Sequence, residues 1–198
     1  NKPGEKPENT NQPSTDISEE YVTKKDEALA KVYAFINNID NEVGPKEGFD
    51  GIWEAAKALG DEALEKIGYV LKDITGDGVP ELLIGSFEKD DDAYTNNEIY
   101  LIYTLQGEEP EIVLYGWNRN AYSLKDDNSL FYQGSSGAAM SAFGIYHISN
   151  NGEYMCDDFY FTYPNDNDPS VIELFHNTTG IYYNEDGEKP DMTLDRSE

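Results

Sequence analysis

The stretch YVLKDITGDGVPELLIG, residues 69–85, decides the fold, because the chain changes there from a helical to a strand-like pattern. Two acidic residues, Asp73 and Asp77, and two glycines, Gly76 and Gly78, stand between two short apolar runs. A segment of this kind can hold a cation, form one repeat of a larger architecture, or simply turn the chain. The sequence on either side of it helps to separate these three interpretations.

Two amphipathic helices are predicted before this stretch. In the first, apolar residues recur at steps of three and four, namely Ala28, Leu29, Val32, Phe35, Ile36 and Ile39. Its start signal is either Asp16 with Glu19 or Thr23 with Asp26. The second helix is predicted over residues 49–68, with Gly60 as a break inside it. Its predicted core-facing residues are Ile52, Ala56, Leu59, Leu64 and Ile67.

From Tyr69 onward the pattern is that of short strands, rich in β-branched and aromatic residues and bounded by Gly, Asn, Asp or Pro. The candidate strands are GYVLK, ELLIGSF, NEIYLIYTL, EIVLYGW, SLFYQ, FGIYHIS, EYMCDDFYFTY, VIELF and GIYY. Asn151-Gly152 predicts a hairpin turn, since both residues tolerate positive φ. No ten-residue helical segment intervenes, so the sheet is expected to be mainly antiparallel. The predicted class is α+β, with two N-terminal helices packed on a mainly antiparallel β-sheet.

The 198 residues are expected to form one folded domain with a leading tail. Residues 1–15 contain three prolines and no large apolar side chain, so they are predicted to be a disordered linker or tether. An ordinary frayed terminus is the alternative. Residues 16–198 are predicted to be a single α+β domain. The sequence begins at Asn1 without a methionine or a signal peptide, which is typical of a processed or truncated mature form.

The charge is strongly one-sided, with 40 Asp and Glu residues against 14 Lys and Arg and a formal net charge of -26. Such a surface repels phosphate backbones and anionic lipids, so nucleic-acid binding is not expected. Membrane association is expected only through the N-terminal tether. The same surface attracts divalent cations, although it also serves simply to keep a secreted protein soluble. Cys156 is the only cysteine, and we expect a buried, inert thiol there.

The 69–85 stretch can be interpreted as a calcium loop. Ca²⁺ takes six to eight oxygen ligands, and alternate residues of a tight loop can direct oxygens at one centre. The predicted metal ligands are Asp73, Thr75, Asp77, the carbonyl of Val79, and Glu81. An EF-hand is excluded, because Ile84 occupies its position-12 glutamate and a strand follows instead of a helix. The alternative is a metal-free hairpin turn whose carboxylates accept backbone hydrogen bonds.

The segment DITGDGVPELLIG resembles the calcium loop of FG-GAP and integrin-type propeller blades, whose pattern is D-x-[DN]-G-D-G-x-x-D followed by an apolar strand. Thr75 and Glu81 depart from that pattern, and the resemblance therefore implies weak, structural Ca²⁺ binding, on the order of 10⁻⁴–10⁻³ M. A propeller needs four or more blades. The closest second copy, residues 182–191, has Tyr182 in the first ligand position, so a full propeller is not expected.

The chain also resembles a loose group of small secreted lipoproteins of Gram-positive gut bacteria. These proteins carry a polar linker, one or two helices and a Y-x-L-x-D-I-D-G-D-G-x-P-E-L-L-I segment, which residues 69–84 match at most positions. The resemblance implies an extracellular, cell-surface-anchored protein. The expected partner is an extracellular protein or glycan, which the sequence does not identify.

The remaining candidates for chemistry each have a plainer interpretation. His147 and His176 would need to meet in space to form a catalytic pair or a zinc site. Ser135 and Ser136 lie in a small-residue loop without the G-x-S-x-G spacing. Four acidic clusters, at 90–92, 126–127, 157–158 and 166–168, are typical of solvated turns but could supply paired carboxylates. Trp53 and Trp117 could join the tyrosines in a sugar-stacking platform, although strand aromatics are usually core.

The preferred function is therefore a non-enzymatic interaction or structural domain at the cell surface, with a calcium-stabilised hairpin loop. The alternative is a hydrolase of surface polysaccharide or peptidoglycan that uses paired carboxylates. A hydrolase predicts a cleft where two carboxylates converge beside exposed aromatic side chains. A binding module predicts an exposed aromatic patch without such a pair.

Overall fold

The computed structural model describes residues 18–90, 93–165 and 167–181, and of residues 87–90 and 93–97 it describes the backbone alone. The helices come first: α1 covers Glu19–Asn37, α2 covers Asp50–Leu59, and the four-residue α3 covers Ala63–Lys66. Two short 3₁₀ turns, Ile39–Asn41 and Gly60–Glu62, lie between them. The predicted linker, residues 1–15, lies outside the described residues.

Helix α1 begins at a cap that the sequence did not single out. The Ser18 hydroxyl accepts a hydrogen bond from the backbone N–H of Tyr21, at 3.1 Å, which satisfies one of the free N–H groups of the first turn. Thr23 lies inside the helix, where its hydroxyl donates to the carbonyl of Glu19. The predicted cap at Thr23 is therefore wrong, and the other candidate, Asp16, lies outside the described residues.

Gly60 divides the second helical segment, as predicted. Its φ of +56° ends α2, because the left-handed region favours glycine. The break changes the angular phase of the next helical turn. Leu64, predicted to face the core, is 47% exposed. Ile67, also predicted as helical, is buried but is the first residue of strand β1.

Nine strands form one sheet in the described part of the chain, and each described strand pair is antiparallel. Their order is β1-β2-β3-β5-β6-β7-β8-β9, with β4 paired to β3. The strands are β1 Ile67–Lys72, β2 Glu81–Asp90, β3 Ala93–Thr104, β4 Glu111–Tyr115, β5 Asn120–Leu124, β6 Leu130–Gly137, β7 Met140–Ile148, β8 Tyr154–Pro164 and β9 Ile172–Asn177. The α+β class and the mainly antiparallel sheet are confirmed.

Three local predictions have different outcomes. Gly152 has a φ of +81° in the turn between β7 and β8, which confirms the hairpin predicted at Asn151-Gly152. The segment around Ser135, predicted as a small-residue loop, instead belongs to the hairpin of β6 and β7. Of the predicted strand GIYY, Gly180 and Ile181 lie outside any strand, and the other two residues lie outside the described chain.

Residues 81–85 of β2 and 99–103 of β3 are buried on both faces of the sheet. Leu82, Ile84 and Leu101 belong to a buried cluster that includes side chains of α1 and α2. Leu83 and Ile102 belong to a second cluster, built with the tyrosines and phenylalanines of β5 to β9. Alternate residues of one strand are therefore buried in two different hydrophobic clusters, since successive strand side chains point to opposite faces.

Candidate functional site

The predicted cation loop is the connection between β1 and β2. Lys72 lies opposite Glu81 in the antiparallel register, and residues 73–80 form the turn between them. Gly76 and Gly78 have φ values of +81° and +89°, a conformation that is costly for residues with a Cβ. These two glycines allow the tight turn that joins β1 to β2 in a hairpin.

The Asp73 carboxylate organises the loop backbone. Its Oδ1 accepts the N–H of Gly76 at 2.7 Å, and its Oδ2 accepts the N–H of Gly78 at 3.0 Å. The hydroxyl of Thr75 lies 3.4 Å from the same Oδ1. These are the contacts that a metal-free turn would use, since an aspartate commonly caps the N–H groups that follow it.

Asp77 and Glu81 leave two carboxylate oxygens without a partner. Asp77 accepts the N–H of Val79 at 2.6 Å through Oδ1, and Glu81 accepts the N–H of Ile74 at 3.0 Å through Oε2. The second oxygens, Asp77 Oδ2 and Glu81 Oε1, are buried without a hydrogen-bond partner. Burial of an unpaired ionised oxygen costs free energy. A cation or a hydrogen-bond donor placed beside these two oxygens would therefore stabilise the loop.

The raised pKa of Glu81 also shows that negative charge is disfavoured in the loop. Glu81 is 1% exposed, and burial together with the Asp77 and Asp73 carboxylates raises its pKa to about 7, against the hydrogen bond from Ile74. Burial and the charge of Glu81 raise the pKa of the neighbouring Tyr21 phenol to about 12. A cation in the loop would reverse this effect on Glu81, because a nearby positive charge favours the ionised carboxylate.

Two side chains that the sequence did not indicate brace the loop. The hydroxyl of Tyr21, on α1, donates to the carbonyl of Pro80 at 3.0 Å. The amide of Asn128, in the β5–β6 turn, donates to the carbonyl of Asp73 at 3.2 Å. Both contacts join segments more than fifty residues apart, so no local pattern could have revealed them.

The five predicted ligand residues thus lie close together in sequence and structure, but their side chains are not arranged as a complete coordination shell. In the part of the chain that the structure describes, no three or more His, Cys, Asp or Glu side chains form a ready metal-binding group. Thr75 is nearly buried, at 9% exposure, and Val79 packs against the helical core. The two unpartnered oxygens fit a cation. The inward bonds of Asp73 fit a turn that is stable without one.

The two histidines each contact an aspartate on a neighbouring strand. His147 Nδ1 lies 2.9 Å from Asp157, and His176 Nε2 lies 2.6 Å from Asp158. The two histidines lie in different rows of the sheet, because His147 is opposite Met155 and His176 is opposite Tyr160.

The acidic and small-residue clusters also make turn contacts. Asp127 accepts hydrogen bonds from Ser129, and Asp168 accepts them from Ser170; these contacts lower the pKa of both carboxyls. The Ser135 hydroxyl donates to the carbonyl of Gly137. Burial raises the pKa of the half-buried Cys156 thiol, which fits an inert cysteine.

Comparison with protein-family models, with curated proteins and with solved structures found no match. Within the described residues, no helix has the length and apolar character needed to cross a bilayer.

Proposed function

We propose that this protein is an extracellular, cell-surface domain with an interaction or structural role, and that its β1–β2 loop binds a weak, structural Ca²⁺. The observation that carries the calcium proposal is the pair of buried, unpartnered oxygens, Asp77 Oδ2 and Glu81 Oε1. The ligands would be oxygens of Asp73, Thr75, Asp77 and Glu81 and the carbonyl of Val79. A divalent cation would remove the cost of these buried charges.

The surface location rests on the sequence. The proline-rich residues 1–15 suit a tether, and the net charge of -26 suits a protein that stays soluble in a calcium-containing medium. The resemblance to secreted lipoproteins gives the same compartment. The partner in this proposal is an extracellular protein or glycan.

The structural part of the proposal is a layered domain, in which the N-terminal helices pack on one face of the sheet. The shared burial of Ile52 of α2 with Leu82 and Leu101 of the sheet supports this arrangement. The loop lies where the helices meet the sheet, since Tyr21 of α1 reaches Pro80. A cation there would therefore stabilise both layers.

Thermal unfolding tests the calcium proposal. Relative to EDTA, about 10 mM Ca²⁺ should raise the Tm by roughly 3 to 10 °C, the shift expected for a site with a Kd of 10⁻⁴–10⁻³ M in a domain of this size. Asp77→Ala should abolish that shift. Asp61→Ala, which removes one exposed carboxylate of the second 3₁₀ turn, is the matched control and should retain it.

A Ca²⁺ shift that survives in Asp77→Ala would mean that the ion acts elsewhere on the acidic surface. The absence of any shift in the wild-type protein would leave the metal-free turn as the correct interpretation.

The alternative proposal is a hydrolase of surface polysaccharide or peptidoglycan that uses paired carboxylates, and the cleft lined by Glu54, Glu98 and Trp117 is the feature that favours it. It is tested by incubating the protein with both polymers and measuring the release of reducing ends. Sustained release that requires the intact protein would replace the non-enzymatic proposal.

A further inference from the structure

A cleft of about 480 Å³ lies between α2 and the sheet, away from the calcium loop. Its walls include Glu54 and Glu62 from the helical side, Glu98 from β3, and Trp117 and Asn118 from the turn after β4. Three acidic residues from three different elements thus line one cavity, and an aromatic ring is part of the same lining. A cavity of this volume is large enough for a small organic ligand.

Glu54 is held in place by the backbone. Its Oε2 accepts the N–H of Asn118 at 2.6 Å, a contact that joins α2 to the turn after β4. This bond fixes one carboxylate oxygen of a residue that also lines the cleft. Glu54 is therefore a positioned acceptor and not a freely rotating surface acid.

Glu98 is close enough to Glu54 for the two charges to interact. Burial, together with the charge of Glu54, raises the pKa of Glu98. Neither carboxylate forms an ion pair with a basic side chain of the described chain. Lys66 is the only basic residue in the described lining, and it is exposed. Three glutamates against one exposed lysine in the described lining give the cleft a negative potential.

Trp117 supplies the apolar part of the cleft. Its side chain is 37% exposed, and its ring meets that of Tyr115 at 5.9 Å between centroids with a tilt of 33°. This neighbour restricts the indole without stacking flat over it. An exposed indole attracts a cation through its π face and packs against a hydrocarbon chain.

We propose that this cleft binds a small organic cation, with an ammonium group held by Glu54 and Glu98 and its carbon chain against Trp117. Charge decides the class of ligand. A neutral sugar would cover the two carboxylates without neutralising them, whereas an ammonium group donates three hydrogen bonds and supplies the missing charge. The proposal is independent of calcium binding at the β1–β2 loop.

The test uses cadaverine as the probe, with pentanediol as an uncharged ligand of the same length, at a constant Ca²⁺ concentration. The chain has two tryptophans, so Trp53→Phe makes Trp117 the single reporter of fluorescence. That substitution also removes an indole N–H that is buried without a partner. Cadaverine should change the Trp117 emission saturably, and pentanediol should not.

Calorimetry then assigns the binding residues. Glu98→Gln and Glu54→Gln should each weaken cadaverine binding about tenfold, the effect of losing a charged hydrogen-bond partner. Glutamine keeps an acceptor for the Asn118 N–H, so Glu54→Gln should stay folded by circular dichroism. Glu27→Gln, which neutralises an exposed acid of α1, is the matched control and should bind like the wild type.

Any one of these results would overturn the proposal: no saturation by about 50 mM cadaverine, equal binding of pentanediol, or an equal loss in Glu27→Gln. Saturable binding of a neutral disaccharide without binding of the amine would also overturn it. If Glu98→Gln fails to fold, Glu54→Gln and the Trp117 emission still decide the question.

Discussion

At the scale of single residues, the ionisation of the buried Glu81 carboxyl couples the stability of the fold to pH. Glu81 is 1% exposed, one of its oxygens has no partner, and its pKa is raised to about 7. In the unfolded chain its pKa would be close to the ordinary value of about 4.3. The folded state therefore binds more protons between these two values, and stability falls as the pH rises through them.

In EDTA, the wild-type protein should lose up to roughly 3 kcal/mol of unfolding free energy between about pH 4.5 and pH 7.5, relative to Glu81→Gln. Glutamine cannot ionise, so the difference between the two proteins isolates this one group. Urea unfolding across the pH series measures it. A difference that stays constant with pH would show that Glu81 ionises normally in the folded protein.

The sequence located the acidic side chains of this loop but not their supports. Asp73, Asp77 and Glu81 were predictable because alternate acids around two glycines form a local pattern. Tyr21 and Asn128 act across 59 and 55 residues of chain. Only tertiary packing brings them to the loop, and neither has a neighbour in sequence that points to that role.

At the scale of elements, the pairing of β2 with β3 depends on an irregularity at Gly85. The register shifts between Ile84 and Gly85, and a Cβ added at Gly85 would lie 2.1 Å from the carbonyl oxygen of Glu98. The obstacle is backbone, so it cannot turn aside as a flexible side chain would. Glycine is needed here for close approach of two strands.

Gly85→Ala should therefore lower the unfolding free energy by about 1–3 kcal/mol, the usual cost of overpacking. Gly44→Ala is the matched control, because a Cβ at Gly44 meets nothing within 4 Å. Urea denaturation of the three proteins compares them directly. Equal stability of Gly85→Ala and Gly44→Ala would contradict the close contact.

The elements that the sequence missed are those that carry little apolar signal. Strand β5 has one buried residue in five, Tyr122, and its place is set by pairing with β3 and β6. Leu64 was misjudged because the 3₁₀ turn after Gly60 changes the phase of the helical repeat. The long amphipathic α1 and the strongly apolar β3 needed no such tertiary information.

At the scale of the whole molecule, a net charge of -26 on 198 residues opposes the compact state through self-repulsion. Salt should reduce this repulsion, since the Debye length falls well below 10 Å above 0.1 M ionic strength. Calorimetric scans in EDTA should show a higher Tm in about 0.5 M NaCl for wild type and Asp77→Ala alike. A lower Tm in salt, or an effect confined to the wild type, would contradict this explanation.

The hydrogen bond from Tyr21 to Pro80 also connects α1 mechanically to the β1–β2 loop. If the chain is held at a surface through residues before Ser18, a pulling force enters the domain along α1. Tyr21 passes part of that force directly to the β1–β2 loop. An ion bound there would then act as a latch under load, and single-molecule pulling from the N-terminus would require more force in Ca²⁺ than in EDTA.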